Sequence, residues 1–201
     1  MRWYPDILIS IDIDNTAFDT DHVLRNRLIE RGLTPPAVGE WIDLSQYGDV
    51  GRELLTDGEF MRLADLRADW EEFGDWVRQI RAQYHGHVDF QWLTQRGYHP
   101  MAESLTRESL RRNHVDHIRL RCIDAHRHPN KGDWLEANTR VGVHHILVDD
   151  FNNVERVPVG RVRYVVATQR WNQCLEGVPR FSTFPQLREW LLNQIRLIME
   201  A

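Results

Sequence analysis

The first apolar run of the chain ends abruptly in two carboxylates and a hydroxyl, in Ile7-Leu8-Ile9-Ser10-Ile11-Asp12-Ile13-Asp14-Asn15-Thr16. In extended geometry Asp12 and Asp14, two residues apart, project to the same side, and two carboxylates held together repel unless a cation or proton lies between them. That is the electrostatic setting of a divalent metal site. A strand running into a solvated Asp-Asn turn fits this stretch alone equally well. A second acid pair, Asp149-Asp150, closes another apolar run, Ile146-Leu147-Val148, and a polar turn, Thr94-Gln95-Arg96-Gly97, closes a third.

Lys131 is the sole lysine among 25 basic residues. A chain that otherwise uses arginine has kept lysine where a compact, strongly hydrated point charge differs from a planar fork, which makes Lys131 a candidate for chemistry. Chance survival of a single lysine is the competing explanation.

These residues need elements to hold them. A run of aliphatic residues without alternation reads as a strand buried on both faces, and open α/β folds place ligands at the C-terminal ends of such strands. The pattern along the chain is β-α-β: strands at 7–11, 88–93, about 117–122, 145–148 and 163–167. Helices are expected at about 21–32, through Glu59 to Leu66, through Phe73 to Tyr84, at about 100–113, through Trp134 to Ala137, and from a Thr183 cap onward with Pro185 in the first turn. Residues 37–72 carry no clean periodicity and are expected to form a mostly helical cap. The division is a core of 1–19 and 73–201 with a cap of 20–72, giving a three-layer α/β fold around a parallel sheet of about five strands. A loop rich in asparagine follows Asp150.

Composition narrows the classes. At 201 residues the chain suits one α/β domain with a small insertion, and a net charge of -5 gives no global attraction to nucleic acid or anionic membrane. Nothing in Met1-Arg2-Trp3-Tyr4-Pro5-Asp6 resembles a secretion signal and no apolar stretch approaches the roughly 18 residues of a membrane span, so a soluble, cytoplasmic protein is expected. Two cysteines, Cys122 and Cys174, are too few for a disulfide framework and are expected as free thiols.

Asp12 and Asp14, Thr94, Lys131, and Asp149 with Asp150 thus all fall at or just after predicted strand ends, in that order. The arrangement resembles the four motifs of the haloacid dehalogenase superfamily of phosphotransferases, over nearly the whole chain. Within it, the small cap, Trp41 followed by Gln46-Tyr47-Gly48, and the Ile146-Leu147-Val148-Asp149-Asp150 run look most like the 5'(3')-deoxyribonucleotidases. The chain departs from the pattern at Asn15, where many relatives carry glycine, and at Gln95-Arg96-Gly97, where the nucleotidases have a small hydroxyl and a proline.

The resemblance implies a Mg²⁺-dependent phosphomonoester hydrolase. A phosphomonoester carries about two negative charges near neutral pH, so an attacking carboxylate must be screened by the metal. Asp12 is the expected nucleophile, forming an aspartyl-phosphate; Asp14 is the expected acid and then base, ligating the metal through its backbone carbonyl with its carboxyl left free. Lys131 is expected to neutralise Asp12 and the phosphate. Asp150, supported by Asp149, completes the metal ligands, and Thr16, Thr94, Gln95 and Trp41 are the expected substrate contacts. The implied substrate is a small phosphorylated molecule, a nucleoside monophosphate in the first instance. A polynucleotide-end phosphatase, a sugar-phosphate phosphatase and a non-catalytic binding protein of the same fold are the alternatives; the oligomeric state is not legible.

Other conspicuous residues have plainer readings. The ten histidines lack a consistent ligand quartet and are assigned to surface and strand ends. Most of the eight tryptophans suit packing, with Trp41 the exception, and the arginine-rich stretch Arg107 to Arg121 reads as a solvated helix face and strand edge.

Overall fold

A computed structural model describes residues 5–150 and 162–200; the predicted asparagine-rich loop lies outside the described residues. Six strands, β1 (Ile7–Ile11), β2 (Val88–Thr94), β3 (Arg119–Cys122), β4 (His144–Asp149), β5 (Val162–Ala167) and β6 (Arg180–Phe181), form one sheet in the order β3-β2-β1-β4-β5-β6. Every neighbouring pair is parallel, with Ile7 opposite Val88 on one side and His144 on the other. All strand C-termini therefore share one edge. The order reverses at β1, and in open parallel sheets such a reversal leaves a crevice beyond the strand ends.

The sheet has one strand more than the sequence pattern predicts. The addition, β6, is two residues long and continues from β5 at Val166 opposite Arg180. A strand so short carries no periodicity to read.

Burial on both faces explains the unbroken aliphatic runs. Ile7, Ile9 and Ile11 pack with Phe90, Trp92, Ile146 and Val148 into the larger core, while Leu93, Leu147 and Tyr164 pack with Leu135 into a second cluster. The larger core takes its helices through aromatic rings. Phe73, which opens α4 (Phe73–Gln83), lies 5.3 Å from Trp92 and 5.5 Å from Phe184, measured between ring centroids, and Phe184 opens α7 (Phe184–Met199). Trp70 and Trp92 are fully buried, as the packing role of most tryptophans anticipates.

Thr183 does precede α7, but its side chain makes no capping bond; the Phe184 N–H instead donates to Asp69 Oδ2 at 2.8 Å. The other helices outside 44–63 are α1 (Thr20–Glu30), α5 (Ala102–Arg112) and α6 (Lys131–Asn138).

The segment 37–72 holds more helix than its pattern suggests. Besides α3 (Glu59–Leu63), which stops short of Leu66, it contains α2 (Gly48–Asp57), absent from the sequence reading. Two glycines in one short helix argue against it on propensity. One of them is required by packing: a Cβ on Gly51 would lie 1.9 Å from the Leu44 carbonyl oxygen. Leu28, Ile42, Leu44 and Leu54 close a small core there, separate from the sheet. Among the described residues no helix is long and apolar enough to cross a membrane.

Candidate active site

The ends of β1 and β4 and the start of α6 deliver the central groups. The Asp12 N–H donates to the Val148 carbonyl at 2.8 Å, so strand pairing continues one residue past β1 and fixes where the Asp12 side chain leaves the sheet. Asp149 is the last residue of β4, and Lys131 is the first of α6, whose start is held by Asn130 Oδ1 accepting from the N–H groups of Gly132 and Asp133 at 2.8 and 3.2 Å. These anchors converge. Lys131 Nζ lies 2.6 Å from Asp12 Oδ1 and 2.9 Å from Asp149 Oδ2, in a pocket that leaves Lys131 only 7% exposed.

One ammonium faces three carboxylates. Oxygens of Asp12, Asp149 and Asp150 lie within 4.8 Å of one another, all three residues buried. Burial first, and then Asp149 and Asp14 as neighbouring negative charges, push the Asp12 carboxyl up to about 7 against the pull of Lys131. Asp150 is raised by burial and by Asp12 and Asp149. For Lys131 burial opposes the charge, yet Asp12 and Asp149 outweigh it and raise the ammonium. Burial raises Asp12 and Asp150 first and neighbouring carboxylates add to it, while the same carboxylates raise Lys131 against its burial.

Asp150 Oδ2 is buried with no hydrogen-bond partner among the described residues. An orphaned carboxylate oxygen beside two more carboxylates is an all-oxygen donor set lacking positive charge, which fits a hard divalent cation.

The charge excess gives a testable sign. An ordinary unfolded carboxyl titrates near 4, so between that value and about 7 the folded chain holds on Asp12 a proton that the unfolded chain has released. Without a cation, stability is therefore fully present at the acid end of this window and falls as pH rises through it. We expect metal-stripped protein to melt several degrees higher at pH 5.5 than at pH 8, and millimolar Mg²⁺ to shrink that difference by stabilising the pH 8 sample. A higher melting temperature at pH 8 without cation would contradict the assignment.

Asp14 is placed differently from Asp12. Its carboxylate accepts from Thr20 Oγ1 at 2.7 Å, from Thr94 Oγ1 at 3.2 Å, and from both Nε and Nη2 of Arg96 at 3.0 and 2.6 Å. Burial works against its ionisation, but the Arg96 guanidinium prevails and holds the carboxyl below its usual range. In the protein alone the Asp14 carboxyl, expected to be free, is therefore paired with Arg96 and lowered, while Asp12 is raised. The physical reason is Arg96, in the turn after β2, to which the sequence pattern assigns no role.

Arg96 is 2% exposed and is itself anchored on the Met61 carbonyl at 3.2 Å and Thr106 Oγ1 at 3.0 Å. No signal in the sequence separates it from the many arginines that pair at the surface.

The remaining predicted residues surround this centre. Thr16 Oγ1 donates to Asp12 Oδ2 at 3.3 Å, Thr94 is spent on Asp14, and Gln95 Nε2 donates to the His128 carbonyl at 2.7 Å. Asn15 has φ 56°, a left-handed conformation that favours glycine and that asparagine tolerates better than other residues with a side chain. Its carbonyl accepts from Gln169 at 2.7 Å, and Asn172, fully buried, donates at 2.7 Å to the Asp150 carbonyl. The segment after β5 thereby holds both acid-bearing loops, a function invisible without tertiary contacts.

A cavity of about 470 Å³ opens over the acids. Leu24, Trp41, Ile42, Leu44, Leu55 and Phe60 also line it. Trp41 is 42% exposed and meets Trp171 edge-on at 5.5 Å, so the ring is braced yet accessible.

No family model and no curated protein matches the chain. Among solved structures, an inferred haloacid dehalogenase-like hydrolase from Burkholderia xenovorans LB400 aligns over 94% of this chain and 99% of its own, with a TM-score of 0.55 and 18% identity. The two chains share one fold, haloacid dehalogenase-like in architecture. At 18% identity the likeness carries architecture, and chemistry must be argued from the residues.

Proposed function

We propose that the chain is a Mg²⁺-dependent phosphomonoester hydrolase acting through an aspartyl-phosphate on Asp12, with nucleoside monophosphates as its substrates. The observation that carries this reading is the single buried lysine bridging Asp12 and Asp149 beside the partnerless oxygen of Asp150. Structural ion pairs are normally balanced; this one leaves negative charge in excess, the condition for holding a divalent cation and, with it, a phosphate.

Asp12, Asp149 and Asp150 would hold the ion, which when bound supplies positive charge to the phosphoryl oxygens. Asp14, ionised beside Arg96 in the protein alone, first takes up a proton from solvent; a side-chain oxygen of Asp12 then bonds to phosphorus while the ester P–O bond breaks, and the departing oxygen takes that proton from Asp14. Water then bonds to the same phosphorus, gives its proton to Asp14 and releases Asp12 and phosphate. One proton thus shuttles through Asp14, and Arg96 favours the ionised form that accepts it. Lys131 offsets charge on Asp12 and on the phosphoryl group throughout.

In this reading residues 20–72 are a cap over the site, and Trp41 stacks on the nucleobase, a contact worth about 1 to 3 kcal/mol. The support is its place in the cavity wall and its partial exposure. Trp41→Ala is expected to lower kcat/KM for a deoxynucleoside monophosphate by roughly one to two powers of ten while changing hydrolysis of a small aryl phosphate little. Equal losses on both substrates would make Trp41 a packing residue and remove the nucleotide assignment.

A further inference from the structure

The cavity has a charge pattern that constrains the part of the substrate that is not phosphate. Six carboxylates line it, those of Asp12, Asp14, Asp21, Asp43, Asp149 and Asp150, against two cationic side chains, Arg96 and Lys131. Both cations are already spent at the floor: Arg96 is locked on Asp14, and Lys131 lies between Asp12 and Asp149. Around the walls, among the described residues, no basic side chain remains to meet a second anion. What the walls offer instead is apolar and aromatic surface from Leu24, Trp41, Ile42, Leu44, Leu55 and Phe60.

The two acids outside the floor act differently. The Asp21 carboxylate is consumed by Arg25 at 2.5 Å in a pair that is largely buried. Asp43 has no cationic partner among the described residues; its Oδ1 accepts from the Ser45 N–H at 3.0 Å and Ser45 Oγ at 2.6 Å, and its Oδ2 from Gln46 Nε2 at 3.5 Å. Those bonds hold its carboxyl below the usual range, so it stays charged. It follows Trp41 and Ile42 directly in the chain and lines the same cavity as the acids of the floor.

We infer that this pocket selects phosphomonoesters of an uncharged, ring-bearing alcohol and rejects those carrying a second anionic group, with Asp43 as the residue that sets the rejection. The inference rests on the hydrolase reading above and sharpens it. A nucleoside monophosphate has one phosphate and a neutral ring system, and it fits. A nucleoside bisphosphate, a sugar bisphosphate or a polynucleotide end brings a further phosphate, to be desolvated against an apolar wall and an unpaired carboxylate, and is disfavoured. The polynucleotide-end alternative loses ground on the same observation, because phosphate-backbone binding needs free lysine or arginine along the groove.

The experiment compares a nucleoside 5'-monophosphate with the 3',5'-bisphosphate of the same nucleoside, on wild type, Asp43→Asn and Asp43→Arg, at low and high salt. Wild type is expected to prefer the monophosphate by roughly tenfold in kcat/KM at low salt, with the preference weakening as salt screens the exposed charge. Asp43→Asn keeps a side-chain acceptor for Ser45, so the turn survives; it should remove a large part of the preference. Asp43→Arg should abolish or reverse it. Equal use of both substrates by wild type, or a preference that neither variant nor salt alters, would overturn the inference while leaving the hydrolase reading standing. Failure to release phosphate from any monoester, with Mg²⁺ bound, would bring down the hydrolase reading itself.

Discussion

Asp12→Asn is expected to abolish phosphate release, by about three powers of ten or more, in a protein that folds as well as the wild type. The amide cannot serve as an anionic nucleophile and is a poor ligand for a hard cation, so two functions are lost in one atom's change. Its structural cost is small for a specific reason. Asp12 is one of three buried carboxylates around one ammonium, and Lys131 keeps Asp149 at 2.9 Å when Asp12 is neutralised. Removing a charge whose burial pushes its carboxyl up to about 7 relieves repulsion as well as breaking an ion pair. Phosphate release and thermal melting should be measured on the same preparation, with exhaustive chelation of wild type as the companion. Retention of more than a few per cent of activity by the variant, or full activity after chelation, would end the covalent, metal-dependent reading; a collapse in melting temperature would show that Asp12 is a keystone of the fold instead.

What the sequence makes legible here follows from where its physics is local. Ile7 to Ile11 is an unbroken aliphatic run because both faces of the strand are covered, and that pattern survives in one dimension. Asp12, Asp149 and Lys131 are legible because strand ends and a helix start fix them within a residue or two. Arg96 is not, because its meaning lies in a contact with Asp14, 82 positions away, and its residue type is common in this chain. The same holds for Asn172 and Gln169, which tie loops that are distant in sequence. Gly48–Asp57 is helical against its propensity because Gly51 lets the backbone approach Leu44, a tertiary cause with no local trace. The two-residue β6 is simply below the length at which alternation can be counted.

Arg96→Met is expected to cause the largest loss of stability of any single change near the site. The guanidinium is 2% exposed, grips Asp14 through two nitrogens, caps the Met61 carbonyl and Thr106 Oγ1, and packs 5.8 Å from the Phe60 ring centroid. Methionine fills much of the volume but leaves those acceptors without a donor. Breaking a buried ion pair from one side costs about 3 to 5 kcal/mol. Asp14 is still 28% exposed and can recover some hydration, so the lower end of that range applies. At about 2 to 4 °C per kcal/mol for a chain of this size, the melting temperature should fall by roughly 6 to 12 °C. Because the stranded carboxylate is the main cause, adding Asp14→Asn to Arg96→Met should restore part of the loss, a non-additivity expected of two residues in direct contact. A second signature comes from acid titration. Arg96 depresses the Asp14 carboxyl, so that group's contribution is present above its unfolded value near 4 and is lost as pH falls through the lower folded value. In Arg96→Met the stability curve should lose this acid limb, flattening below pH 4. An Arg96→Met protein that melts with the wild type and keeps its acid limb would mean that Asp14 is held by Thr20 and Thr94 alone, and the link from α3 through Arg96 to the acid-base residue would carry no energy.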